Sequence, residues 1–121
     1  MHKHNIGRLI ALGTSSINDP HDKFNYKFAL LINGVKVFAR NAYNDVVAIG
    51  NVIINGDGSD LDWTIVRVPV LTEHDEVEVV AGYVGDGHTK TSLSRVALAS
   101  FMIGELQKNE WIQKSPLISN P

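Results

Sequence analysis

The chain contains no cysteine, which excludes disulfides, thiolate metal sites and a cysteine nucleophile and fits a reducing compartment. It has no long apolar run. Nothing approaches the ~20 residues needed to span a bilayer. The opening MHKHNIGRLIALG is basic and then briefly apolar, too short for the apolar segment of a signal peptide and without a small-residue cleavage site. A cytoplasmic protein with no membrane partner is expected. It also has no strong charge of either sign: a net charge of -2 gives no electrostatic handle for nucleic acid or an acidic membrane surface. There is no internal repeat, low-complexity tract or linker, so one domain over residues 1–121 is expected.

Phosphate-binding glycines are missing too. GYVGDGH carries Gly82, Gly85 and Gly87 in the order G-x-x-G-x-G and leads into a turn rather than a helix, a poor match to the dinucleotide fingerprint. GHTKTS lacks the adjacent Gly-Lys-Ser/Thr of a P-loop.

The residues that are present read as an alternation of strands and helices. At 44% hydrophobic, the composition supports one modest core. Residues 8–13 read as a short apolar strand ending in Thr14, Ser15 and Ser16. Asn18-Asp19-Pro20 is turn chemistry, because the residue before proline is pushed out of the helical region, and Asp22 can cap the helical segment after it. From 23 to 55, Leu31, Val35, Phe38, Ala42, Val46, Ile49 and Ile53 recur at helical spacing. A break near Gly34 would make two helices, and Gly56 or Gly58 would end the second. LDWTIVRVPV is a strand stopped by Pro69. Residues 76–84, EVEVVAGYV, alternate as a second strand, and GDGH turns the chain. TSLSRVALASFMIGELQKNEW opens with hydroxyl caps and continues as a helix. KSPLIS is a short terminal strand, with Pro116 at a strand edge or start. The order predicts an α/β fold.

Several residues are placed to carry chemistry. Thr14, Ser15 and Ser16 follow a strand end, where α/β proteins place ligands; the plainer reading is that they cap the loop. Arg67 sits inside an apolar strand. It is either a structural ion pair, with Asp62 or Glu73, or a fork of donors for an anion or carbonyl. Tyr43 and Asp45 lie beside the apolar stripe of the long helical segment. A carboxylate buried there can act as an acid or base; at the edge of the stripe it is simply solvated. Tyr43, Asp45 and Arg67 are therefore the candidate catalytic residues. Trp63, Pro69 and Leu71 complete the candidate substrate-binding set with the three hydroxyls, Trp63 either packing or lining an apolar pocket. Ser92, Ser94 and Arg95 open the last helix as caps or as an anion site. His21, His74 and His88 fall in loops. His2 and His4 are an i, i+2 pair at a terminus, and no set of ligands makes a metal site.

The succession RLIALGTSS, a helical stretch, LDWTIVRVPVLTE, TSLSRVALASFM and SPLIS resembles the C-terminal half of the atypical short-chain dehydrogenase/reductases, the NmrA-like and biliverdin-reductase-B-like NAD(P)-binding proteins. The resemblance implies a truncated Rossmann-like fold, half of a doubly wound sheet. It places Thr14–Ser16 near the nicotinamide or substrate and puts the Arg67 region beside the nicotinamide. The chain departs from the pattern in two ways. Neither Tyr43, followed four on by Val47, nor Tyr26, followed by Leu30, makes the Tyr-x-x-x-Lys pair in which the lysine assists proton exchange. Ala97 stands where the family commonly has an acidic residue.

Half a doubly wound sheet turns a central strand into an edge, whose unpaired backbone groups invite pairing. Apolar surface left wet costs about 25 cal/mol per Å², so the half is expected to be completed by dimerisation, as a homodimer. Without the glycine-rich half, no cofactor is expected. The functional expectation is then a cofactor-independent isomerase or cyclase working on an apolar, natural-product-like small molecule. Two alternatives stand beside it. One is the substrate half of an NAD(P)-dependent oxidoreductase whose partner supplies the missing half. The other is a non-catalytic dimerising regulator or truncated product.

Overall fold

Strands β1 (Arg8–Thr14) and β2 (Asp62–Val68) run parallel and side by side, with Arg8 opposite Asp62 through to Thr14 opposite Val68. The computed structural model describes residues 7–17, 19–55 and 61–121; His2, His4, Asn18 and the helix stop at Gly56 or Gly58 lie outside the described residues. β2 joins β6 (Leu117–Ser119) in parallel, and β6 takes β4 (Val80–Gly82) antiparallel, giving the order β1-β2-β6-β4. β1 is therefore an edge, paired only with β2 among the described residues. Pro69 has no N–H to offer a ladder, and the chain leaves the sheet there. Val70–Thr72 (β3) then pairs in parallel with Ser92–Ser94 (β5) as a separate ribbon.

Side chains alternate across β2, and each face has its own cover. On one face Trp63 and Ile65 pack with Ile17, Leu9, Val46, Ile53 and Ile54, which brings down α2 (Arg40–Asn55). On the same side α1 (Tyr26–Phe38) seats Phe28 and Leu31 against Val84 and Leu117. On the other face Val66 packs with Leu93, Ala97 and Ile118, under α3 (Arg95–Lys108). Ser94 caps α3 in extended conformation, its hydroxyl accepting from the Ala97 amide at 3.1 Å. The helix ends on left-handed Asn109 (φ 53), whose N–H reaches the Glu105 carbonyl. The chain is thus a half of a doubly wound α/β sheet, helices on both faces. Among the described residues no helix is long and apolar enough to cross a membrane.

Three local expectations change. The break in the long helical segment falls at Ala39, not Gly34, which lies inside α1 in open space. The single apolar stripe resolves into two: α1 buries Phe28 against the β4–β6 side while α2 buries Val46 and Ile53 under Trp63, leaving Ile49 exposed. The strand expected over 76–84 shrinks to Val80–Gly82. β6 offers only three residues to pair with, and the carbonyls of Glu76 and Glu78 go instead to Ser94 Oγ and Asn120 Nδ2. Pro116 does precede a strand, but that strand is interior rather than an edge.

Candidate functional site

The site forms where β1 and β2 end. Gly13, the penultimate residue of β1, is held close: a Cβ there would lie 2.7 Å from Ile17 Cδ1 and 2.8 Å from Ile65 Cγ2. The chain then turns sharply. The Thr14 carbonyl accepts from the Ile17 amide at 3.0 Å and the Thr14 hydroxyl from the Ser16 amide at 3.2 Å. That places Thr14, Ser15 and Ser16 against Val68, Pro69 and Val70, with Leu31 and Ile32 of α1 closing a cleft of about 140 Å³. This is the carboxyl end of adjoining parallel strands, where open α/β sheets bind ligands.

Beneath the turn lies Arg67, fully buried. Its guanidinium donates to both carboxylate oxygens of Asp22, at 2.7 and 2.9 Å, to the Ile17 carbonyl at 3.0 Å and, through Nε, to the Ser115 carbonyl at 2.8 Å. A buried guanidinium needs this degree of satisfaction. Asp22 also accepts from the Val84 amide at 3.0 Å, and Val84 returns its carbonyl to the Lys23 amide at 2.7 Å. The loop after β1 is thereby stitched to the loop after β4.

That second loop is shaped by Asp86, which accepts from the amides of Tyr83, His88 and Thr89 and from the Thr89 hydroxyl. Burial opposes its charge, but these donors outweigh it and hold the carboxyl at about 2. Gly85 adopts φ +77 with the Lys23 carbonyl 2.5 Å from where a Cβ would sit. Gly85 thus serves a tightly packed turn. Alongside it, His21 stacks on Tyr83 at 4.6 Å and sets Nδ1 2.8 Å from Asp19 Oδ1. Burial raises Asp19, but hydrogen bonds from Ser115 and His21 and the charge of Arg67 bring it below the ordinary carboxylate value. Burial and the Asp19 charge push the Tyr83 phenol up, against Arg67.

Of the residues singled out in the sequence, the structure brings Thr14, Ser15, Ser16 and Pro69 together in the cleft, with Arg67 underneath. Arg67 pairs with Asp22, not with Asp62 or Glu73; Glu73 is taken by Arg95 at 2.6 Å on the surface. Trp63 is packed beneath α2 in the core, and Leu71 packs on the opposite face, toward Val66 and Leu93. Tyr43 and Asp45 stand on α2. Asp45 is exposed, and the half-buried Tyr43 ring has the Lys36 ammonium 5.7 Å from its centroid. Ser94 is fully spent as a cap, also donating to the Glu76 carbonyl. Sequence reasoning missed the clamp role of Asp22 and the turn role of Asp86. The signal for Asp22 was available: an arginine in a buried strand requires a carboxylate, and the loop after the neighbouring strand end carries one.

A family model described as NAD(P)H-binding matches residues 1–109. The chain belongs to the NAD(P)H-binding family. Its fold is similar to that of the oxidoreductase ylbE from Lactococcus lactis (19% identity, TM-score 0.66, covering 99% of this chain and 49% of that one). It is also similar to a short-chain dehydrogenase/reductase from Veillonella parvula in complex with NADP (15%, TM-score 0.67, 99% and 54%). A third is a Rossmann-fold NAD(P)-binding family protein from Shigella flexneri (23%, TM-score 0.61, 100% and 49%). The chain spans about half the length of these structures. No curated protein sequence matches it.

Membership of this family overturns two expectations. The absence of a cofactor does not stand, because the matched family is defined by binding NAD(P)H. The cofactor-independent isomerase or cyclase falls with it, since that reading rested on the missing glycine turn alone. The alternative of an oxidoreductase fits the family and its structural neighbours better.

Proposed function

We propose that the chain forms the nicotinamide and substrate side of an NAD(P)H-dependent oxidoreductase acting on a small molecule in the cytoplasm. The observation that carries this is the cleft of Thr14, Ser15, Ser16 and Pro69 at the ends of two adjoining parallel strands in a member of an NAD(P)H-binding family. The hydroxyls of this turn are the cleft's candidate donors to a carbonyl oxygen or carboxamide. Leu31, Ile32 and Val68 supply an apolar wall. When bound, the nicotinamide supplies or accepts the hydride. Arg67 is a positioning residue here, since its donors go to Asp22 and to the Ile17 and Ser115 carbonyls and so fix the hydroxyl turn. The 121 residues hold no glycine-rich turn for the pyrophosphate. The edge of β1 is where a strand-turn-helix unit carrying one, or a second copy of the chain, would pair.

Titration with NADPH, followed through tryptophan fluorescence, tests the reading. Saturable quenching in the micromolar range is expected; no binding up to millimolar nucleotide would overturn it.

A further inference from the structure

Ser15 borders two hollows at once. On one side is the cleft of about 140 Å³ at the strand ends. On the other is a hollow of about 290 Å³ between the loop at Asp22 and the first turns of α1. Ile32 is common to both. The larger hollow stands at the foot of the ~300–1,000 Å³ range of small-molecule sites, and the cleft extends it.

The walls of the larger hollow are mostly apolar: Phe24, Phe28, Ala29, Ile32 and Val84. Phe24 is 84% exposed, an aromatic ring with its apolar surface still to cover. The polar side chains there are largely spent. Asp22 gives its oxygens to Arg67 and the Val84 amide, and Asn25 Oδ1 accepts from the Phe28 amide. Ser15 is the exception. It is 8% exposed, and its hydroxyl has no hydrogen-bond partner among the described residues. Polar groups so far from water are paired as a rule, and one left over is costly. The hydroxyl therefore calls for an acceptor from outside the chain.

Charge selects as well. Asp22 borders the hollow with 18% of its side chain exposed, while the Arg67 side chain that neutralises it is fully buried. An entering carboxylate would meet the anion of this pair and not the cation. Lys23 is exposed to water, where its charge is screened.

We infer that this hollow takes an uncharged aromatic ketone or aldehyde, its ring against Phe24 and Phe28 and its carbonyl oxygen accepting from Ser15. That the bound compound is a substrate rests on the oxidoreductase reading; its binding does not.

The probes are 4-phenylbutan-2-one and 3-phenylpropanoate, which match in size and differ in charge. Each is titrated into the isotope-labelled full chain without nucleotide, and the amide shifts are followed by NMR. The ketone is expected to bind in the millimolar range usual for so small a molecule, with the Ser15 and Val84 amides among those that move. The carboxylate is expected to bind several-fold more weakly. Ser15→Ala should weaken the ketone about fivefold, the loss of one neutral hydrogen bond, and should melt with the parent protein, since the hydroxyl supports nothing in the chain. Phe24→Ala, on an exposed ring, should weaken it by about the same factor. Equal binding of ketone and carboxylate, or ketone affinity unchanged in either variant, overturns the inference. A Ser15→Ala protein that melts well below the parent overturns it too, because the hydroxyl would then be committed within the chain. NADPH quenching is measured separately on the same samples. Ketone binding without quenching removes the oxidoreductase and leaves the hollow's preference; quenching without the ketone pattern removes only the preference.

Discussion

Arg67 and Asp22 meet fork to fork, 45 positions apart in sequence, with both carboxylate oxygens engaged at 2.7 and 2.9 Å. Around this pair the loop after β1, the loop after β4 and the segment before β6 are drawn to one point through Ile17, Val84 and Ser115. A planar guanidinium supplies five donors in a fixed geometry, so it can bind three partners at once.

Breaking this pair should be among the most damaging single changes in the chain. Asp22→Asn or Arg67→Met strands an uncompensated buried group, with an expected loss of about 3–5 kcal/mol. Arg67→Lys should rescue little, because an ammonium cannot reproduce the fork. Urea unfolding of the three variants measures this, and an Arg67→Lys protein as stable as the parent would refute the geometric assignment.

Asp86 makes a pH prediction. Its folded carboxyl is depressed from the ordinary 3.8 to about 2, so the unfolded chain takes up its proton first as pH falls. The stability it contributes is full above about pH 4 and is lost as pH falls through the folded value near 2. Asp86→Asn should therefore flatten the acid limb between those values. Thermal melts of both proteins from pH 2 to 5 test this, and parallel curves would show that the turn does not depend on the charge.

Gly85 should resist replacement. At φ +77, with the Lys23 carbonyl 2.5 Å from a would-be Cβ, Gly85→Ala meets backbone strain and a clash together, an expected cost of about 1–3 kcal/mol. Gly34→Ala, in open helix, should instead gain up to about 1 kcal/mol. The two melting shifts should have opposite signs.

The exposed edge of β1 predicts association. Leu12 is 53% exposed on this edge, and light scattering at low micromolar concentration should give twice the chain mass. Leu12→Lys places a charge where a neighbouring strand would approach and should return the monomer mass.

The alternation of strands and helices was legible because each element carries its own periodicity: β2 with its aliphatic run, α3 with Ser94 ahead of it. The turn at Thr14–Ser16 was legible as hydroxyls capping a loop after a strand end, and the Thr14 hydroxyl does accept from the Ser16 amide. The features that escaped were long-range. Arg67 in a buried strand called for a carboxylate, but that Asp22 rather than Asp62 or Glu73 supplies it depends on how β1 and β2 register. The helical stripe misled for the same reason. Leu31 and Val46 keep helical spacing, yet they serve different parts of the sheet, and the chain must reorient at Ala39 to seat both. The absent glycine turn argues against a nucleotide, and the family match over residues 1–109 overturns it.

The guanidinium under the hydroxyl turn also bears on how a ligand is received. Thr14–Ser16 owe their shape to hydrogen bonds already made within the chain, so no loop has to freeze when a small molecule arrives. A preorganised receptor spares the ordering entropy that a floppy one would surrender, and encounter should be governed by diffusion into the cleft rather than by a slow folding-over of its walls.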